Sequence, residues 1–220
     1  MLALSFFKNE ILLIFRSKFN FLLSYVFFTL IIFIFPLSFS YDAEIINYFL
    51  PVIIWVAIII SSLISIEYNY RDEYENGYMD YLALSSNRLI LILYSKIISG
   101  WIFNGIPISI ISFIFFYFLT GDTSSSYCLV KMLLPGTLTI NSLGCLGSIM
   151  TIGLNRSNII LLLIIIPLLI PVLLLSLHAL KFAQNEMSYD LQLILSIMFL
   201  FFSFFIVPFI CSFLLKLGID

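Results

Sequence analysis

The sequence predicts an all-α membrane protein with six transmembrane helices, an N-terminal interfacial helix and a helical cytoplasmic segment between the second and third spans. Three observations lead there. Of 220 residues, 62% are hydrophobic and 10% charged, with a mean hydropathy of +1.17, against about 25% charged residues in a typical soluble domain. The apolar residues fall into windows long enough for a bilayer, which asks for about 20 residues per helix. The charges gather before and between those windows, where a membrane tolerates them. Lys and Arg number 10 against 12 Asp and Glu, a balance that excludes a basic nucleic-acid binder.

Leu2–Lys18 is too charged to span. Leu4, Phe7, Ile11, Ile14 and Phe15 recur at three- and four-residue steps, with Ser5, Asn9 and Arg16 on the other side. That pattern suits a helix lying in the interface, either an elbow bracing the bundle or the extended foot of the first span. Lys8, Glu10, Arg16 and Lys18 also interrupt any cleavable signal, so the first span is expected to act as its own insertion signal. The spans then read Phe19–Phe39, Ile45–Ile66, Ile97–Leu119, Tyr127–Gly153, Asn158–Leu180 and Leu191–Leu215, all within one domain covering 1–220. Lys8, Arg16, Lys18, Arg71, Arg88, Lys96, Arg156 and Lys216 fall on the N-terminal side of the membrane, and only Lys131 and Lys181 on the other. The bias predicts that both termini are cytoplasmic.

The seven prolines lie in or beside spans, and Pro167 with Pro171 predicts a bent fifth span, a hinge or a fixed shape. Gly144-Cys145-Leu146-Gly147-Ser148 and the pair Ser61, Ser65 offer small faces for close helix approach within the chain or, second, between copies. Cys128, Cys145 and Cys211 are too far apart in sequence for a CxxC or zinc pattern and read as small buried hydrophobes. Trp55 and Trp101 read as packing or interface residues rather than a haem platform. His178 is the single histidine; it is a candidate haem contact, but a haem ligand needs an open pocket and a second axial group, and a headgroup-facing histidine carries more weight. No GxxxxGK[ST], HExxH or GxSxG occurs, and no span interior holds a pair of acids, so neither nucleotide hydrolysis nor proton relay has its machinery here.

The most informative stretch runs from Glu67 to Leu84. On a helix, Arg71 stands four residues from both Glu67 and Glu75 and can bridge them. Tyr70, Tyr74, Tyr78 and Tyr81 form an aromatic stripe, with Asp72, Glu73 and Asp80 around it. Gly77 can break the helix and leave a short second piece, Tyr78–Leu84. The pattern fits a plug for a groove on a soluble partner, or a solvated loop with tyrosines at the headgroups.

In this order and length, the motifs resemble the CcmB family, the membrane subunit of the ABC transporter of cytochrome c maturation. The residues that carry the likeness are Phe35-Pro36-Leu37-Ser38, Ile53-Ile54-Trp55-Val56-Ala57, the acidic stretch Glu67 through Arg71-Asp72 to Gly77, Lys96 with Trp101, Thr151-Ile152-Gly153 before Leu154-Asn155-Arg156, and the proline-rich fifth span. Ser85-Ser86-Asn87 stands where the family is usually proline-rich. The resemblance implies a type-2 ABC permease in the bacterial inner membrane, paired with a second copy on two CcmA ATPases, with CcmC, CcmD and the haem chaperone CcmE as partners. It implies that Glu67–Leu84 is the coupling helix, with ATP on the partner, haem as cargo of the complex, and no cofactor of this chain's own. Whether haem itself is moved or haem-loaded CcmE is released stays open; the scarcity of haem ligands favours release. A permease for a lipid or drug, or a membrane scaffold without energy coupling, are the alternatives.

Overall fold

A computed structural model describes residues 2–16, 18–38, 43–79, 82, 89–151 and 157–217. Its regular elements are helices: α1 (Leu2–Arg16), α2 (Lys18–Ser38), α3 (Ala43–Glu75), α4 (Leu89–Gly100), α5 (Ile106–Thr120), α6 (Thr123–Thr151), α7 (Ser157–Gln184) and α8 (Asp190–Leu217). A five-residue π-helical turn, Trp101–Gly105, joins α4 to α5. Five stretches are long and apolar enough to cross a membrane, and Phe21–Phe35 in α2 is a shorter apolar one. The expected all-helical, multi-span architecture is therefore present.

The bundle is arranged around α6, which packs on α3, α4, α5, α7 and α8. Between spans there is no hydrophobic force, because lipid tails are as apolar as leucine; close approach and internal hydrogen bonds hold helices together instead. The sequence of α6 follows that logic. Ser, Thr and Asn stud its buried positions, and they bond back to their own helix: Thr139 to the Pro135 carbonyl at 2.9 Å, Asn141 to Thr137 at 2.9 Å, Thr151 to Gly147 at 2.9 Å. Its most apolar window is 67% buried, against 22% for α8, whose phenylalanines face outward. The central helix α6 is thus the most polar of the spans and the peripheral α8 among the most apolar, while α3, as buried as α6, brings aliphatic side chains to the core.

Small residues set the spacing. The indole of Trp55 points its outer edge at Gly136, where an added Cβ would sit 2.3 Å from Cη2, and its Nε1–H donates to Ser176 Oγ at 2.7 Å. Trp55 thereby joins α3, α6 and α7 at 1% exposure. Gly144 and Gly147 are packed against Ile66 and Ile165 of the same chain, so this face serves internal packing. Ser61 and Ser65 are buried, as are the three free cysteines.

Two boundaries differ from expectation. The second span does not end at Ile66: α3 continues unbroken to Glu75, so Glu67–Glu75 is an extension of the span rather than a detached helix. The third span begins at Leu89, not Ile97. Lys96 looked like a boundary charge, but its ammonium is neutralised inside the protein, and an apolar helix can run through it. At Trp101–Gly105 the same span widens, with the Ile106 N–H reaching back five residues to the Trp101 carbonyl. The turn is held open from outside: Tyr25 donates its hydroxyl to the Phe103 carbonyl, Trp101 donates to Thr137 Oγ1 at 3.0 Å, and Ser24 donates to Asn104 Oδ1 at 3.1 Å. Pro167 and Pro171 both sit within α7, which is uninterrupted, on its exposed side.

Candidate functional site

The charged residues converge at the end of the bundle where α3 stops. Asp72 is exposed there, and so are Tyr74, Glu75 and Asn76. The helix ends because Gly77 takes φ +70°, a left-handed conformation that residues with a Cβ resist. Its N–H caps the Tyr74 carbonyl at 2.9 Å, while Asn76 Nδ2 donates to the Asp72 carbonyl at 2.7 Å. The predicted break is real, and helical residues resume at Tyr78 and Met79. Asp80, Tyr81 and Ser85-Ser86-Asn87 lie outside the described residues, as does Arg156.

Arg71 Nη2 meets Glu67 Oε1 at 2.9 Å, with Glu67 4% and Arg71 38% exposed. Glu75, the other acid it was expected to bridge, is exposed. Nor do the tyrosines present one aromatic face. Tyr70 is buried and Tyr78 half-buried, both turned toward Lys96, whose Nζ lies 5.6 Å and 5.3 Å from their ring centres. Of the described members of the stripe, Tyr74 alone looks outward. The stripe splits because a cation that sequence spacing does not reveal draws two of its members inward.

That cation is the centre of the site. Lys96 Nζ, on α4, donates to Glu10 Oε2 of α1 at 3.1 Å and to Glu73 Oε1 of α3. Lys96 and Glu10 are almost fully buried, and Glu73 largely so. Tyr78 Oη adds a long contact to Glu10 Oε1 at 3.5 Å. Beside the trio a cavity of about 570 Å³ is lined by Leu13 and Phe21 as well as by these polar groups. Neither Glu10 nor Lys96 was singled out as a functional residue from sequence. A signal for Glu10 existed: it stands three residues after Phe7 and four before Ile14, on the apolar stripe of α1 where an acid has no business without a partner. α1 packs on α4, which favours the bracing elbow over a mere foot of the first span.

Burial raises the Tyr78 phenol from its ordinary value of 10.0 to about 12, and the Glu10 carboxylate adds to the rise. The neutral phenol is thus favoured by folding, so its contribution is complete below pH 10 and fades as pH climbs toward 12. Thermal unfolding in detergent at pH 8 and pH 11 is expected to show a smaller alkaline loss for Tyr78→Phe than for the parent; identical losses would rule the contribution out.

His178 lies at the other end of the molecule. It is exposed and opens onto a cavity of about 210 Å³ shared with Tyr48, Pro51 and Lys181, smaller than the roughly 300–1,000 Å³ of most ligand pockets. Lys181 and Lys131 there rest on the rings of Tyr48 and Tyr189 at 5.9 Å and 5.7 Å. Among the described residues, no three His, Cys, Asp or Glu side chains converge as a metal would need.

A bundle of long apolar helices with one charged end defines a multi-pass membrane protein. The family model described as CcmB protein matches residues 1–218, and the chain belongs to that family. It is similar to the heme exporter protein B of Haemophilus influenzae, 31% identical over 193 residues, 88% of this chain and 87% of that one. The protein of the same name from Pseudomonas aeruginosa is 33% identical over 173 residues, 79% and 78% of the two chains. That of Escherichia coli K12 is 29% identical over 184 residues, 84% of each.

Proposed function

We propose that this chain is the membrane-spanning subunit of a haem-exporting ABC complex of cytochrome c maturation in the bacterial inner membrane. Stretch 67–84 then takes up motion from a partner ATPase, CcmA. One observation carries the reading: α3 is a single 33-residue helix, about 50 Å long at 1.5 Å per residue, joining the packed core to an exposed acidic tip. A push on Asp72, Tyr74 and Glu75 reaches Trp55 with no hinge of loop between. Lys and Arg collect at this end, which supports a cytoplasmic tip and cytoplasmic termini, on the side where ATP is. ATP stays on the partner and haem is the cargo of the assembly, which includes a second copy of this chain together with CcmC, CcmD and CcmE. The lone histidine beside a small cavity supports the version in which the stroke releases haem-loaded CcmE rather than threading haem through this chain.

Arg71→Glu and Tyr74→Ala test it in the reconstituted complex. Each is expected to lower the stimulation of partner ATPase by this chain about tenfold while leaving insertion intact. Unchanged stimulation in both variants would favour a scaffold without energy coupling. Stimulation that responds to a lipid or drug and not to CcmC and CcmE would favour a permease for another cargo.

A further inference from the structure

Coupling through α3 alone would leave α1 and the third span as bystanders, yet their charges meet under its tip. Glu10, Glu73 and Lys96 come from three helices, 86 and 23 residues apart along the chain, and their only common feature is this meeting. We propose that Lys96 is a positioning residue that hands displacement of the α3 tip to α1 and to the third span. This rests on the coupling reading above and deepens it.

The geometry fits a transmission point better than a static clamp. One ammonium holds two carboxylates from different helices at the same time, so a shift of Glu73 with the tip pulls on Lys96 and, through it, on Glu10. Glu73 Oε2 is buried with no hydrogen-bond partner among the described residues, an acceptor onto which the ammonium can slide as the tip shifts. The adjoining cavity of about 570 Å³ gives the side chains room to move. Beyond Lys96 the helix leads in five residues to the π turn at Trp101–Gly105, where the Asn104 amide nitrogen is likewise buried without a partner. A helix that already contains a widened turn, with an unused donor inside it, can pass a push from Lys96 into a change of local winding. α1, tied through Glu10, moves with it.

The test separates holding from transmitting. In the complex with its partner ATPase, the triple substitution Glu10→Gln/Glu73→Gln/Lys96→Met removes all three charges and strands none. The reading is the ratio, whatever the rate of hydrolysis: cytochrome c matured per ATP hydrolysed is expected to fall about tenfold. Lys96→Arg, which keeps the cation, is expected to restore the ratio to within about threefold of the parent. A triple variant with the parental ratio would overturn the proposal. Should the triple variant fail to insert, the exchange Glu73→Lys/Lys96→Glu is read instead: a recovered ratio supports transmission, and an inserted exchange variant with no output overturns it. Loss of ATPase binding by the parental chain itself would instead strike at the coupling reading.

Discussion

Lys96→Met is expected to remove about 3–5 kcal/mol of folding stability, the figure for breaking a buried ion pair from one side. The size follows from what remains. With the ammonium gone, Glu10 and Glu73 are left mostly buried without the cation they share, and burying a charge without its partner is costly. Glu10→Gln has a milder consequence, about 1.5–3 kcal/mol for a charge-assisted hydrogen bond, because Lys96 and Glu73 survive as a one-to-one pair. The two substitutions therefore do not add: Lys96→Met/Glu10→Gln is expected to be more stable than Lys96→Met alone, since it removes one of the two stranded acids. Unfolding of the purified chain in a denaturing detergent series measures all three. Equal losses for Lys96→Met and Glu10→Gln, or a double variant worse than either, would mean that the trio is not electrostatically linked as the distances imply.

The same residues mark where sequence stops being sufficient. Apolar windows locate the spans because each must satisfy its own backbone in lipid, a local demand written in consecutive residues. Gly77 is legible for a similar reason, since a left-handed turn is a property of one residue and its neighbours. The Lys96 trio is not local. Its members are distant in the chain, and a lysine between Ser95 and Ile97 looks the same whether it ends a span or is neutralised within one. That ambiguity moved the start of the third span by eight residues, from Leu89 to Ile97, and made a loop of what is α4. It also hid the fate of the tyrosines: spacing puts Tyr70, Tyr74 and Tyr78 on one helical face, but only packing decides that Tyr70 and Tyr78 cover a buried cation while Tyr74 stays outside. The π turn was equally silent, because it depends on Tyr25 and Thr137 from other helices. The acidic tip was legible as an exposed, charged helix end because its charges stand in consecutive residues.

Trp55→Ala is expected to be the most damaging substitution in the apolar core, at about 3–5 kcal/mol for a buried aromatic side chain cut back to a methyl. Three helices lose contact at once: the indole fills the notch over Gly136, and its N–H occupies Ser176. Because no hydrophobic force between spans would close the gap, the surrounding helices have little reason to collapse into it. Gly136→Ala attacks the same contact from the other side. Its Cβ would stand 2.3 Å from the ring, inside any permitted approach, so the tryptophan or α6 must move, a strain of about 1–3 kcal/mol. Smaller rings should then rescue: Trp55→Phe, unfavourable on the parental background because it opens a void and leaves Ser176 without its donor, is expected to be nearly neutral on Gly136→Ala. A double-mutant cycle on thermal unfolding reads the coupling directly, and simple additivity would show that Trp55 and Gly136 do not share a contact. The contact matters beyond stability, since Trp55 lies on the same helix as the acidic tip. On the proposed coupling reading, Trp55→Phe is expected to leave the partner's ATP hydrolysis near the parental rate and to lower the cytochrome c matured for each turnover, because a push on α3 would be delivered only if α6 and α7 are held to it.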